Sequence, residues 1–195
     1  MVYTTQMLKE KYSAYTNVYD KIRRECTSGQ LVKIKRDLYE DDPGVPAFYL
    51  ASYIYSPSYI SFEYVLSSCG LIPEYSPVVT CASFGKNKTK TFNTPVGSYI
   101  YHDVPANVFF EDVRPMTENG YSILMALPEK ALCDQLYYIR QTGSLSEFEQ
   151  LLKEDLRIDT EVLFSLDTDE IKRLAGLYKR SNLAFLVKYI EKRGK

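Results

Sequence analysis

The sequence predicts a mixed α/β (α+β) protein with two parts. A small winged helix-turn-helix domain is expected over residues 1–42, and a larger α/β domain with a helical C-terminus over residues 46–195. Three observations predict this class: a helix–turn–helix–hairpin pattern at the start, β-branched runs among helical patterns in the middle, and helical periodicity at the end. Residues 40–44, rich in charge with Pro and Gly, are the expected linker.

The composition excludes several classes of protein. The chain has 195 residues, 45% of them hydrophobic, which suffices for a core without disulfides or a structural metal. The net charge is -1, so any nucleic-acid binding must come from a local basic patch. Four cysteines form no CxxC pair and accompany one histidine, so we expect buried thiols, no zinc site and no cofactor. We see neither a membrane-length apolar run nor a signal peptide, and expect a cytoplasmic protein without a membrane partner.

The first forty residues begin with two helical patterns. Thr4 or Thr5 can cap a helix through about Tyr12, and a turn follows. A second helix is predicted from about Asn17 to Ser28, ended by Gly29 in a left-handed conformation. Its apolar stripe comprises Val18, Ile22 and Cys26, flanked by Tyr15 and Tyr19, and its opposite side carries Asn17, Lys21, Arg24 and Ser28.

A β-hairpin is predicted next, over residues 31–39. Lys33 and Lys35 alternate outward, and Arg36-Asp37 forms the turn. Helix, turn, helix and hairpin is the order of a winged helix-turn-helix, and residues 21–36 contain six cations and one acid. The arginine and amide side chains suit base edges, and the remaining cations suit phosphates. The candidate DNA-binding residues are Asn17, Lys21, Arg23, Arg24, Ser28, Lys33, Lys35 and Arg36; a solvated face or a protein-binding winged helix remains the alternative.

The middle of the chain adds strands, helices and a second basic segment. Strands are predicted over residues 77–84, 91–92, 98–102 and 122–126, and helices over 48–54, 62–69 and 128–140. Lys86, Lys88 and Lys90 alternate with polar residues and form a second candidate nucleic-acid surface. A charged sheet edge that prevents aggregation explains these lysines equally well.

No catalytic or metal-binding residue is predicted. His102 stands alone, without a cysteine or serine nucleophile beside it in sequence, and is interpreted as structural. Lys130 and Asp134 have the i,i+4 spacing of a helix ion pair. A carboxylate-dependent enzyme is the alternative; it would need Glu63, Glu129 and Asp134 to converge on a metal.

The last fifty residues are predicted to be helical and are polarised in charge. Residues 147–170 contain nine acids and two cations, whereas residues 172–195 contain eight cations and one acid. Either the acidic block neutralises the basic block across a packed helix pair, or the basic tail is a second surface for nucleic acid or a partner. The apolar stripes slightly favour neutralisation.

Four segments together resemble the AbiEi family of bacterial antitoxins, which belong to type IV (abortive-infection) toxin–antitoxin systems. They are Gly29-Gln30-Leu31-Val32-Lys33-Ile34-Lys35-Arg36-Asp37-Leu38-Tyr39, Pro57-Ser58-Tyr59-Ile60-Ser61, Gly70-Leu71-Ile72-Pro73-Glu74 and Ala126-Leu127-Pro128-Glu129-Lys130-Ala131-Leu132-Cys133-Asp134, and the resemblance covers about residues 4 to 140. The family usually has a glycine in the wing where this chain has Asp37.

The resemblance implies a function in gene regulation. The winged helix would repress the protein's own promoter, so double-stranded DNA is the expected partner, and the larger domain would counter a nucleotidyltransferase-like toxin from the adjacent gene. A stable complex with that toxin is not expected, and a homodimer is compatible with the pattern. We therefore expect a transcriptional regulator rather than an enzyme; a protein-interaction module with a degenerate winged helix is the alternative.

Overall fold

The structure, a computed structural model, describes residues 1–193 and has the predicted mixed α/β class with a helical C-terminus. Lys195, counted above among the cations of the tail, lies outside the described residues. The strands are β1 (Val2–Tyr3), β2 (Val32–Lys35), β3 (Leu38–Glu40), β4 (Ser58–Ile60), β5 (Val78–Ser83), β6 (Lys90–Thr94), β7 (Gly97–Asp103), β8 (Val113–Glu118) and β9 (Tyr121–Ala126). The helices are α1 (Thr5–Lys11), α2 (Val18–Thr27), α3 (Ala51–Ile54), α4 (Glu63–Ser68), α5 (Pro128–Tyr138), α6 (Leu145–Gln150), α7 (Thr160–Ser165), α8 (Thr168–Tyr178) and α9 (Ser181–Arg193).

The N-terminal segment packs two helices against a small antiparallel sheet with the strand order β1-β3-β2. The Thr4 hydroxyl caps α1 by accepting a hydrogen bond from the Met7 N–H at 3.2 Å, and Gly29 ends α2 with φ +76°. Both helix bounds therefore agree with the sequence prediction, whereas β1 was not predicted. The core of this segment is a small cluster of Leu8, Ile22, Leu31 and Tyr39.

The hairpin of β2 and β3 contacts both parts of the protein. Ile34 and Leu38 belong to the large core cluster, while Tyr39 belongs to the small one. Glu40, placed by the sequence in an exposed linker, is instead buried at the end of β3. The Tyr121 hydroxyl donates to its carboxylate at 2.8 Å, and the Met1 ammonium pairs with it. These partners all reach one carboxylate oxygen, Oε1, whereas Oε2 is buried without a hydrogen-bond partner among the described residues, which makes the burial of Glu40 costly.

A six-stranded mixed sheet with the order β6-β7-β5-β4-β9-β8 forms the centre of the larger part. β5 pairs with β7 and β4 with β9 in parallel, and the other pairs are antiparallel. The predicted strands are present, but the sequence missed β4 and β8. β4 has three residues, too few to show a period, and β8 contains Pro115, which is tolerated because β8 lies at the sheet edge.

Helices surround this sheet and complete the large core. α5 packs against α4, α8 and α9, and α9 also packs against α6. The segment predicted as a helix over residues 48–54 consists of a 3₁₀ turn (Ala47–Leu50) and α3. No helix within the described residues is both long and apolar enough to cross a lipid bilayer.

Candidate nucleic-acid interface

The exposed face of α2 is centred on Arg23 and Thr27 rather than on Lys21. Ile22 is buried at 5% exposure, whereas the Arg23 side chain is 79% exposed. At about 100° per residue, Thr27 and Arg24 lie on the same outward arc as Arg23. Arg24 is exposed, and within residues 1–193 no carboxylate lies within ion-pairing distance of it. Arg24 is therefore the α2 cation most available to an external anion.

Two predicted contact residues instead stabilise the ends of α2. Asn17 is the N-cap: its side-chain oxygen accepts from the Asp20 N–H at 3.2 Å, and its amide donates to the Asp20 carboxylate at 2.7 Å. The Ser28 hydroxyl donates to the Glu25 carbonyl at 3.1 Å. Both residues are exposed, but their polar atoms already have partners within the helix.

The Lys21 side chain lies away from the exposed face of α2. Its ammonium pairs with Glu25, its side chain is only 25% exposed, and the ring centroid of Tyr15 lies 5.0 Å from the ammonium. Arg23 also has an acidic neighbour, the Asp20 carboxylate at 3.2 Å, but on an exposed part of the helix where such pairs contribute little. The cations of α2 thus differ in how available they are to an external anion such as phosphate.

Tyr15 and Tyr19 do not flank the apolar stripe as predicted. They are 51% and 62% exposed, and the Lys9 ammonium lies 4.9 Å from the Tyr19 ring centroid. Tyr15 precedes α2, and neither ring packs against the small core cluster that includes Ile22 and is contacted by Val18 and Cys26. Exposed aromatic rings can stack on bases and neighbouring cations can bind phosphates, so this combination of side chains suits nucleic acid.

A polar groove joins α1, α2 and the hairpin. Tyr19 of α2 lines it together with cations from the other two elements, and Asp37 also lines it. Lys9 was missed by the sequence analysis because α1 has no apolar–basic pattern that singles it out. The cations lining the groove are Lys9, Lys33 and Arg36.

Lys35 does not point outward with Lys33. Its ammonium donates to the Ile54 carbonyl at the end of α3 and lies 5.8 Å from the Phe92 ring centroid. The alternation fails because the pairing of β2 with β3 shifts register between Lys33 and Lys35. Such a bulge redirects the side chains that follow it, so Lys35 anchors the hairpin to the larger part.

The predicted second basic segment begins in the loop between β5 and β6, which contains Lys86 and Lys88, and ends at Lys90, the first residue of β6. The Asp103 carboxylate accepts from the Lys86 and Asn87 N–H groups, both at 3.0 Å, and holds this loop. Lys88 and Lys90 are exposed, and β6 is an edge strand, so the aggregation-blocking alternative stays open.

A fully buried polar cluster links α5, β4 and α8. The Lys130 ammonium and the Asp134 carboxylate, both 0% exposed, are 2.7 Å apart. Asp134 also accepts hydrogen bonds from the hydroxyls of Tyr59 at 2.9 Å, Ser61 at 2.7 Å and Tyr178 at 2.5 Å. Burial, reinforced by Asp134, raises the pKa of Tyr178 well above its usual value. The ion pair predicted from i,i+4 spacing is present, and its surroundings are those of a structural cluster.

The three acids of the enzyme alternative have separate partners. Glu63 accepts from the Gln135 amide at 2.8 Å, and Glu129 accepts from the Asp167 N–H at 3.1 Å. The Asp134 carboxylate accepts hydrogen bonds within the buried cluster. Within the described residues, no group of three or more His, Cys, Asp or Glu side chains is placed to hold a metal ion.

His102 packs as a core residue. Its ring stacks on Tyr138 with centroids 3.7 Å apart, and its Nδ1 lies 3.2 Å from the Thr89 hydroxyl. Burial lowers the pKa of His102. Cys81 and Cys133 are buried and free, and burial raises the pKa of both thiols, so the expectation of buried cysteines is confirmed for these two.

Comparison of the sequence with protein-family models and with curated proteins finds no relative. No protein-family model matches the chain, and no curated protein sequence matches it significantly. The functional assignment therefore depends on the residues themselves and on the resemblance of the four segments described above.

Proposed function

We propose that this protein is a DNA-binding antitoxin and autorepressor of the AbiEi type. The observation that carries the proposal is a polar groove lined by cations of α1 and of the hairpin together with Tyr19 of α2. Lys9 of α1 and the hairpin residues Lys33 and Arg36 line a groove with Tyr19, and Arg23 lies one helical turn from Tyr19 on α2. The DNA upstream of the protein's own gene is the proposed partner, in the cytoplasm.

In this proposal α2 enters the major groove, which is wide enough for one helix. Arg24, with a free guanidinium, reads a guanine edge, while Arg23 contacts phosphate. Lys33 and Arg36 of the hairpin bind the neighbouring phosphates and fix the register of α2 on the duplex. Lys21, Asn17 and Ser28 act indirectly, because their side chains stabilise the helix.

The antitoxin activity is proposed from the resemblance alone. The larger α/β part would counter a nucleotidyltransferase-like toxin encoded next to this gene, without a stable complex between the two proteins. The two activities are thus assigned to different parts of the chain, so substitutions can separate them.

The proposal is tested in cells with a reporter fused to the upstream DNA and with the neighbouring toxin gene under separate control. We expect the protein to repress the reporter and to rescue growth. Arg24→Ala should relieve repression and keep rescue. Arg114→Ala is the matched control, since Arg114 is an exposed arginine on β8, and it should change neither activity. Absence of both repression and rescue in the unaltered protein would contradict the proposal.

A second candidate function is protein binding through the same segment. It is favoured by the ion pairs Lys21–Glu25 and Arg23–Asp20, which make two cations of α2 less available to phosphate. Rescue of growth without any repression of the reporter would support this alternative over the DNA-binding proposal.

A further inference from the structure

A groove runs between α8 and α9 on the outside of the helical C-terminus. Its lining residues recur at i, i+3 and i+4 in α8 and at i, i+3, i+4 and i+7 in α9, and Lys179, the residue after α8, also lines it. At about 1.5 Å per residue, α8 spans about 16 Å, or three helical turns. The floor consists of the small or apolar residues Ala175, Gly176, Leu183, Ala184 and Val187.

The rim of this groove is basic. Among residues 1–193, four cations and one acid, Glu191, line it. One of the cations, Lys172, pairs with Asp169 at 2.9 Å, and another, Arg180, lies over the Tyr137 ring at 4.8 Å. The four cations are Lys172, Lys179, Arg180 and Lys188.

The acidic block neutralises the basic block only in part. Lys192 pairs with Glu149 at 3.2 Å, and Arg173 pairs with Glu170 and Glu111. Within residues 1–193, no carboxylate lies within ion-pairing distance of the other three rim cations, Lys179, Arg180 and Lys188. The positive charge of the tail is therefore concentrated around the apolar floor.

Gly176 is exposed in this groove. A Cβ atom built there meets no heavy atom within 4 Å, so nothing in the packing of α8 requires glycine. Glycine in a helix interior is about 1 kcal/mol less favourable than alanine. The position thus lowers helix propensity while leaving space in the groove.

We propose that this groove binds an acidic amphipathic helix of a protein partner. Apolar side chains of the partner at i, i+3, i+4 and i+7 would lie on the floor, and its flanking carboxylates would meet Lys179, Arg180 and Lys188. The apolar floor favours apolar side chains, and the rim cations that are unpaired within residues 1–193 favour carboxylates. An acidic amphipathic helix offers both on one face. The proposal is independent of DNA binding, because the groove belongs to different elements from those of the interface above.

The test uses the full chain and a fluorescent synthetic peptide of about 14 residues, about 21 Å as a helix. The peptide carries leucines at i, i+3, i+4 and i+7 with glutamates between them. We expect saturable binding by fluorescence anisotropy that weakens with salt. Gly176→Trp, which fills the groove, should weaken binding about tenfold or more, and so should Lys179→Glu with Lys188→Glu. Gly176→Ala is the matched control and should bind as the parent does.

Several results would overturn the proposal. One is equal binding of a peptide with lysine in place of glutamate, or of a scrambled peptide with no apolar face. Another is unchanged binding by a folded Gly176→Trp variant, checked by circular dichroism, or no binding to the parent protein. If the groove substitutions weaken binding of duplex DNA and leave peptide binding unchanged, the rim belongs to a nucleic-acid surface and the proposal is wrong.

Discussion

The Asp37 carboxylate accepts a hydrogen bond of 3.0 Å from the Thr5 N–H at the start of α1. Asp37 is also the turn residue of the hairpin and has φ +64°, in the left-handed region that favours glycine. The Thr5 side chain and its backbone N–H lower the pKa of Asp37. One residue therefore joins the hairpin to α1 at a position whose backbone conformation favours glycine.

Replacing Asp37 should separate its backbone role from its charge. Asp37→Ala should lower the free energy of unfolding, because alanine is strained at positive φ and the hydrogen bond is lost. Asp37→Gly should be less destabilising, and it should tighten DNA binding by removing an acid beside Arg36. Urea unfolding and DNA titration measure the two effects. Equal stability of the two variants would contradict this account of the turn.

Lys33 and Lys35 should behave differently although they are two residues apart. Lys33→Ala should reduce the salt dependence of DNA binding by about one phosphate contact, a slope change of about 0.9. Lys35→Ala should leave that slope unchanged and lower stability, because its ammonium is bound to the Ile54 carbonyl. DNA titrations at several salt concentrations measure the slope for each variant. A slope change with Lys35→Ala as large as with Lys33→Ala would contradict the bulged hairpin.

The buried cluster on α5 predicts an asymmetric response to substitution. Asp134→Leu leaves the Lys130 ammonium buried with only the Tyr178 hydroxyl as a partner, so we expect a loss of about 3–5 kcal/mol. Lys130→Met should cost less, because three hydroxyls still donate to Asp134. Chemical denaturation measures both variants.

The double variant Lys130→Met/Asp134→Leu is the control for this cycle. It removes both charges, so its loss of stability should be smaller than the sum of the two single losses. Additive losses would mean that the two charges do not interact as their 2.7 Å separation implies.

His102 should make stability depend on pH. Because burial lowers its pKa, the folded protein binds the imidazole proton less readily than the unfolded chain. The free energy of unfolding should therefore fall as pH decreases through about 6.5, the pKa of an unfolded histidine, and level off below the folded-state pKa. His102 is the only histidine, so His102→Gln should flatten this part of the profile. Parallel profiles of the two proteins between pH 7 and 5 would rule the effect out.

Local signals allowed the sequence to predict the first two helices and the class of fold. Thr4 caps α1 and Gly29 ends α2 through contacts with their own neighbours, so no tertiary knowledge was needed. The sequence missed β8, which is joined to β9 by Asn119-Gly120. Both turn residues have positive φ, and the Asn-Gly pair is a hairpin signal that could have revealed this strand.

The candidate site was predictable only as a region. Which lysine of β2 faces outward depends on a bulge in its pairing with β3, and periodicity cannot show that. The exposed centre of α2 lies at Arg23 and Thr27 because Ile22 is buried in the small core cluster, and Lys21 pairs with Glu25. Lys9 joins the site only because α1 and α2 pack together.

Binding of the purified protein to the DNA upstream of its own gene, at two salt concentrations and against a scrambled duplex, tests the central proposal most directly. We predict a preference for the upstream DNA, weaker binding at the higher salt concentration, and a loss of about 1–3 kcal/mol of that preference with Arg24→Ala. Equal binding of the upstream and scrambled DNA at low salt would contradict the proposed role as an autorepressor.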